Sequence, residues 1–435
     1  MYKKKRRRTD AEHWVKLLLC CGSQQSVRMD CSNLAADWLV KMGSHRRIQS
    51  QRITVTHVLV SMILLFTFLC AGCNQQRPEE PLSQKIDDYL SQMNFWGTVL
   101  ITQGGDTILR KAYGMADAEN NVKNAIDTSF LLCSVTKQFT GAAILCLEAE
   151  GKISASDTLD KYFPEYEKLS AVSVSDLLAM KGGFGDFFDW PFISKNHMVS
   201  EYRVGISEVL YTMSIEDMED YIISEWKQKS DDYIYSNSDY FMLGRIIECA
   251  SGMTYQEYVT EKLFVPAGMT NSGFVDTLES AFPHNHSGGV YYRQKWPFPL
   301  LYSAGSIVTT ADDLDLWLDA YWGGKLFPEF MLERISGQHE FSYDRVERSE
   351  IGHYNNTIRV TFDYNYGWYT YYDESDDAIS FHEGSMVGFD TFVLYDQGSQ
   401  TKIILLSNNT DDRTSKMGEI VQNVYNWSTG KNIDW

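Results

Sequence analysis

Ser134 and Lys137 pair an oxygen nucleophile with an amine base three residues apart. On one turn of a helix, positions i and i+3 share a face, so the lysine can take the serine proton and make a weak nucleophile reactive. The stretch from Phe130 to Gly151 reads as a loop feeding a helix. Apolar residues recur at Phe139, Ala142, Ala143, Leu145 and Cys146, and Gly151 is a stop. Ser-x-x-Lys alone is a cheap pattern. It recurs at Ser224–Lys227 and Ser428–Lys431, which read as solvated helix or tail positions, and at Ser399–Lys402, which reads as a strand turn.

Two downstream groups set Ser134 apart. In Tyr235-Ser-Asn237, a polar loop ends in Asn237 and Ser238, both natural helix caps, before an apolar helix. Tyr235 on such a loop can relay a proton between nucleophile and leaving group, and Asn237 can hydrogen-bond a substrate carbonyl. The rival Tyr354-Asn-Asn356 has no helix after it. In His382-Glu-Gly384, a strand edge leads into a hairpin, and Gly384 lets the backbone approach a ligand closely. The amides of Ser385 and Ser134 would supply two donors to an oxyanion. The rival His286-Ser-Gly288 lies in a glycine-bounded loop.

Together these motifs resemble the serine β-lactamase-like superfamily of class C β-lactamases, penicillin-binding DD-peptidases, related esterases and D-aminopeptidases. The blocks Gly97–Asp117, Lys152–Pro164, Lys262–Thr270, Ser303–Leu314, Tyr366–Trp368 and Lys402–Asn409 follow in the family's order, so the resemblance runs from about residue 85 to the C-terminus. One stretch departs: where the family has a His-Thr-Ser-Gly-like segment beside its cleft, this chain has Ala179-Met-Lys-Gly-Gly-Phe-Gly-Asp186. The resemblance implies acyl transfer through a Ser134 acyl-enzyme, with Lys137 and Tyr235 moving the proton and no cofactor. His382 stands where β-lactamases resembling this chain carry lysine, and histidine is mostly neutral at pH 7. That favours an esterase, amidase or D-amino-acid peptidase over an efficient β-lactamase. The alternative is a covalent penicillin-binding receptor or transpeptidase-like protein that acylates without efficient turnover.

Charge is uneven along the 435 residues. The first 72 carry 12 of the 39 basic and 4 of the 58 acidic residues, which leaves the remainder at a net charge of −27. So acidic a body argues against nucleic acid as a partner and for a small-molecule or peptide substrate. No Cys/His spacing suggests a metal site or a disulfide.

The N-terminus reads as a targeting segment. Arg46, Arg47 and Arg52 precede the largely apolar run Val58–Leu69, then Cys70-Ala-Gly-Cys73 and a polar stretch. This is the order of a bacterial lipoprotein signal, cut before a lipid-bearing Cys73. An uncleaved membrane anchor is the alternative, and either one puts the catalytic body outside the cytoplasm, in the cell envelope. Met42 begins a signal of ordinary length, so residues 1–41 read as a non-native or unstructured extension, 42–72 as signal and 73–84 as tether.

For residues 85–435 the pattern predicts an α/β fold of the α+β type. A first helix near Asp87–Met93 and a hairpin over 97–116 precede mainly helical signals from 134 to about 300. Strands follow from about 355 (Thr357–Phe362, Gly367–Tyr372, Thr391–Tyr395, Lys402–Ser407), and Met417–Trp427 reads as a closing helix. Strands at both ends around a helical block imply an antiparallel sheet flanked by helices with an inserted helical lobe, the β-lactamase/transpeptidase-like layout, with the site between the lobes. The loop Lys181–Asn196 would line the cleft.

Overall fold

The computed structural model describes residues 80–431, apart from 189–198, 204–205, 211–212, 285–292, 296, 336–339, 349–353, 373–376, 387 and 410–414. The proposed signal, the tether as far as residue 79, Cys73 and His286-Ser-Gly288 lie outside the described residues, as does the second half of the Lys181–Asn196 loop.

An eight-stranded antiparallel sheet dominates the fold. Its strands are β1 (Gly97–Gln103), β2 (Asp106–Tyr113), β3 (Glu340–Arg348), β4 (Tyr354–Asn365), β5 (Trp368–Tyr372), β6 (Ala378–Met386), β7 (Phe389–Asp396) and β8 (Thr401–Ser407), in the order β3-β4-β5-β6-β7-β8-β1-β2. Chain-distant strands meet where β1 pairs with β8, from Gly97 opposite Ser407 to Gln103 opposite Thr401. The helices are α1 (Leu82–Gln92), α2 (Thr136–Ala149), α3 (Ile215–Glu225), α4 (Asn237–Ser251), α5 (Phe298–Gly305), α6 (Ala311–Trp322) and α7 (Ser415–Thr429), with shorter turns between them.

Strand alternation divides the apolar side chains between two cores. Val99, Ile101, Leu394, Ile403 and Leu405 point to one face, where Ile86 and Leu90 of α1 and Val421 and Val424 of α7 cover them. Leu100, Val393, Ile404 and Leu406 point to the other and join the larger core built on α2, α4 and α6. Both faces are apolar because helices cover both. Helix α2 is buried nearly all round, so it is the central post of that larger core.

The expected antiparallel sheet with flanking helices is present. Two details differ from the sequence expectation. The strands of the large sheet resume at Glu340, earlier than 355, and the 134–300 block also contains strands Val199–Arg203, Ile206–Leu210, Gly273–Phe274 and Arg293–Lys295. Their short lengths carry too little period-2 pattern to stand out against helical neighbours.

Two local features shape the site. Strand β5 pairs with β6 only from Ala378 to Phe381, while β6 pairs with β7 from Ile379 to Met386. From His382 onward, therefore, β6 has no strand partner on its β5 side among the described residues. The other feature is Cys133, a non-glycine residue at φ +51° that opens the short turn Cys133–Val135 leading into α2. Left-handed backbone at a side-chain-bearing residue costs energy that the surrounding structure must offset, and such residues gather at functional sites.

Candidate active site

Ser134 sits in that turn and Lys137 in the first turn of α2. The Lys137 Nζ donates to Ser134 Oγ at 3.0 Å, to Asn237 Oδ1 at 2.7 Å and to the Ala304 carbonyl at 3.0 Å. Its three donors are thus all used. The carbonyl comes from α5 just beyond a break at Tyr302 (φ 27°, ψ −128°). Lys137 is completely buried. Burial pushes its amine down to about 7, against the opposing pull of the Asp186 charge.

Tyr235, from the loop before α4, donates its hydroxyl to Ser134 Oγ at 2.7 Å. Burial holds this phenol well above its ordinary pKa, so at neutral pH it is a proton donor. Ser134 Oγ therefore lies within reach of an amine on one side and a phenol on the other. The Lys137 Nζ also sits 5.0 Å from the centre of the Tyr235 ring.

Asn237 is the first residue of α4. The helix is capped by Ser236, whose Oγ accepts from the Asp239 amide, not by the Asn237 or Ser238 side chains as the sequence suggested. Both ends of the Asn237 amide are engaged inside the protein. Its Oδ1 accepts from Lys137, and its Nδ2 donates to the Asp186 carboxylate at 2.9 and 3.2 Å.

The segment containing Asp186 is laced to the start of α4. The Gly182 amide donates to Asp239 at 2.9 Å, Ser236 Oγ to the Phe184 carbonyl at 3.0 Å, Ser238 Oγ to the Gly185 carbonyl at 2.6 Å, and the Phe187 amide to Ser238 Oγ at 3.1 Å.

Gly384 brings β6 against the Ser134 turn. A Cβ added there would lie 2.2 Å from the Leu132 carbonyl oxygen and 2.9 Å from the Ser134 amide nitrogen. Only glycine permits this approach. Thr391 Oγ, from β7, lies 2.9 Å from the Leu132 carbonyl and 3.1 Å from that of Gly384, tying the strand to the turn. Ser385 follows on the unpaired edge, exposed.

His382 points the other way from Glu383, into the protein. Its Nδ1 lies 2.5 Å from the Glu383 carbonyl, which can only accept, so Nδ1 carries the proton and Nε2 accepts from the Tyr364 hydroxyl at 3.2 Å. Burial, helped by the Lys137 charge, pushes the imidazole down to about 3 and keeps it neutral. The ring packs beside Tyr369, whose centroid is 5.1 Å away. Glu383 is exposed, and its carboxylate has no side-chain partner among the described residues, yet it is crowded enough to be held above the ordinary carboxylate range.

Lys137 and Tyr235 thus meet on the Ser134 hydroxyl, and Asn237 reaches it only through Lys137. Gly384 lies against the Ser134 backbone, and His382 is set behind the strand. The other Ser-x-x-Lys pairs are engaged elsewhere: Lys402 binds Asp315 and Asp319, Lys431 binds Asp377, and Ser224 is tied to the Tyr221 carbonyl. Tyr354 lies in β4 opposite Arg348.

Sequence reasoning missed Asp186, the Ala304 carbonyl, the strained Cys133 and Thr391. Asp186 ends the very stretch where the chain departs from the resembled pattern, and that was the available signal. Cys133 itself is buried, and burial pushes its thiol far up, so it is an inert packing group. Among the described residues, no cluster of His, Cys, Asp and Glu could hold a metal.

The chain as a whole has relatives. The chain is 27% identical over 349 residues to the PbpX protein of Bacillus subtilis, covering 79% of this chain and 78% of that one. It is 24% identical to penicillin-binding protein 4* of the same organism, over 78% of this chain and 73% of that one. Its fold matches the crystal structure of D-amino acid amidase from Ochrobactrum anthropi SV3 with a TM-score of 0.65, at 19% identity, over 80% of this chain and 98% of that one. The family model described as Beta-lactamase matches residues 82–422, and the chain belongs to this beta-lactamase family of serine hydrolases.

Proposed function

We propose that the protein hydrolyses an ester or amide through a covalent acyl-enzyme on Ser134, with a substrate that needs no cation to hold a carboxylate. The observation that carries this reading is the meeting of Lys137 Nζ and Tyr235 OH on Ser134 Oγ, at 3.0 and 2.7 Å.

With Lys137 neutral, the Ser134 oxygen attacks the carbonyl carbon as its proton passes to the amine, directly or by way of the Tyr235 hydroxyl. The carbonyl π electrons move to oxygen, where the amides of Ser134 and Ser385 are the donors of choice. One such donor is typically worth on the order of 10²–10³ in rate. Collapse reforms the carbonyl and expels the leaving group, which takes the proton back through Tyr235. Water then repeats the sequence on the acyl-enzyme.

Substrate preference rests on β6. With His382 turned inward and Glu383, which has no side-chain partner among the described residues, facing out, the strand edge presents no cation, which makes it a poor seat for an anion and a good one for a neutral or amine-bearing group. Similarity to a D-amino acid amidase agrees with that preference. The sequence before residue 80 adds a cell-envelope location through a lipid on Cys73.

Parallel turnover of nitrocefin, a p-nitrophenyl ester and D-amino-acid p-nitroanilides tests the reading. The ester or anilides should be hydrolysed at least 100-fold faster than nitrocefin, and nitrocefin as the best substrate would contradict it. Acylation without turnover on all three would favour the covalent receptor.

A further inference from the structure

We propose that Asp186 is a positioning residue of this site, acting through Asn237 to fix which end of the Asn237 amide faces Lys137. The inference rests on the Ser134–Lys137 chemistry proposed above and extends it by one residue.

An asparagine amide has nearly the same shape either way round, so its partners decide its orientation. A carboxylate can only accept hydrogen bonds. With Asp186 at 2.9 and 3.2 Å from Nδ2, the NH₂ group is drawn to that side. The carbonyl oxygen is left for Lys137, and it sits there at 2.7 Å. Were the amide reversed, its NH₂ would face the ammonium and its oxygen the carboxylate, losing both bonds and adding two repulsions.

Asp186 is itself held. Its Oδ1 accepts from the Phe188 amide at 2.9 Å, and the bonds from Gly182, Phe184, Gly185 and Phe187 to residues 236–239 fix the segment on both sides of it.

The link also carries charge. Lys137 is faced by Ser134 and Cys133 from the preceding turn, and by Tyr235 from the loop before α4. Asn237 and Tyr240 face it from α4, the Ala304 carbonyl from α5 and His382 from β6. Burial keeps Cys133, Tyr235, Tyr240 and His382 neutral. Asp186 is thus the anion that keeps Lys137 from losing its proton still more readily. Asp186 in turn is raised by its own burial and pulled back by Lys137.

The test uses the full-length protein with ¹³C-lysine, the Cε signal of Lys137 being identified by its loss in Lys137→Arg. Asp186→Asn preserves shape and removes charge. Its Lys137 midpoint should fall by about one pH unit, the lower end of the effect of a neighbouring charge. The low-pH limb of fluorophosphonate labelling should move with it, and Asp186→Glu should restore part of the shift. Should Asp186→Asn fail to fold, Asp186→Ser carries the same measurement. An unchanged midpoint in a folded variant overturns the inference, even if the labelling rate drops, since a merely structural residue would lower the rate without moving the titration. Wild-type protein that titrates but does not label would sink the proposed chemistry alone, because the midpoint comparison does not need activity.

Discussion

The Tyr235 hydroxyl donates to the Ser134 hydroxyl oxygen across 2.7 Å, although 101 residues separate them in the chain. Two elements make the meeting: the loop that ends at the α4 N-terminus and the turn that opens α2, both pinned to the same core. In the proposed mechanism the phenol adds a second route for the Ser134 proton, beside the lysine.

Tyr235→Phe removes that route and leaves the ring. Proton transfer by a positioned side chain typically contributes 10²–10⁴-fold, so kcat for a p-nitrophenyl ester should fall by roughly 10²-fold or more. The melting temperature should change little, because the hydroxyl's described partner is the half-buried Ser134 Oγ. Steady-state kinetics beside thermal unfolding checks both.

Gly384→Ala tests the close approach of β6. The added methyl meets the Leu132 carbonyl at 2.2 Å and the Ser134 amide at 2.9 Å, both backbone atoms that cannot step aside. Overpacking of this kind typically costs about 1–3 kcal/mol, and here it also displaces the Ser134 amide. Denaturant unfolding should show the loss of stability, and esterase activity should fall by more than tenfold.

The acylation rate should rise with pH through about 7 and level off above it. Lys137 works as a base only when neutral, and burial has moved its amine down to about 7 from 10.5. An ordinary lysine would place the same limb above pH 10. The pH dependence of fluorophosphonate labelling separates the two.

His382 should weaken the fold in acid. Its folded-state pKa of about 3 lies below the ordinary 6.5, so between these values the unfolded chain binds the proton and the folded protein does not. Stability from this residue is present above pH 6.5 and is lost as pH falls toward 3, with a slope of up to about 1.4 kcal/mol per pH unit. In His382→Gln the fall in unfolding free energy between pH 6 and 4 should be shallower than in wild type.

Much of this was legible in the sequence because the informative patterns are local. The short continuous apolar runs Val99–Ile101 and Ile403–Leu406 mark strands whose two faces are both covered, and the run after Ser134 marks a buried helix. Spacing alone put Ser134 and Lys137 on one turn. What escaped depends on contacts between segments distant in the chain. Nothing near Asp186 announces that Asn237, 51 residues on, will face it. The inward turn of His382 follows from which face of β6 meets the larger core, and a His-x-Gly motif does not encode that. The left-handed backbone at Cys133 is invisible for another reason: cysteine has no preference for that region, and surrounding contacts impose it.

The most direct measurement is the intact mass of the full-length protein after reaction with a fluorophosphonate, with Ser134→Ala treated alongside. A reactive Ser134 predicts one adduct on the wild type, mapped by peptide analysis to Ser134, and none on the variant. Adducts of equal extent on both proteins, or on neither, would contradict it.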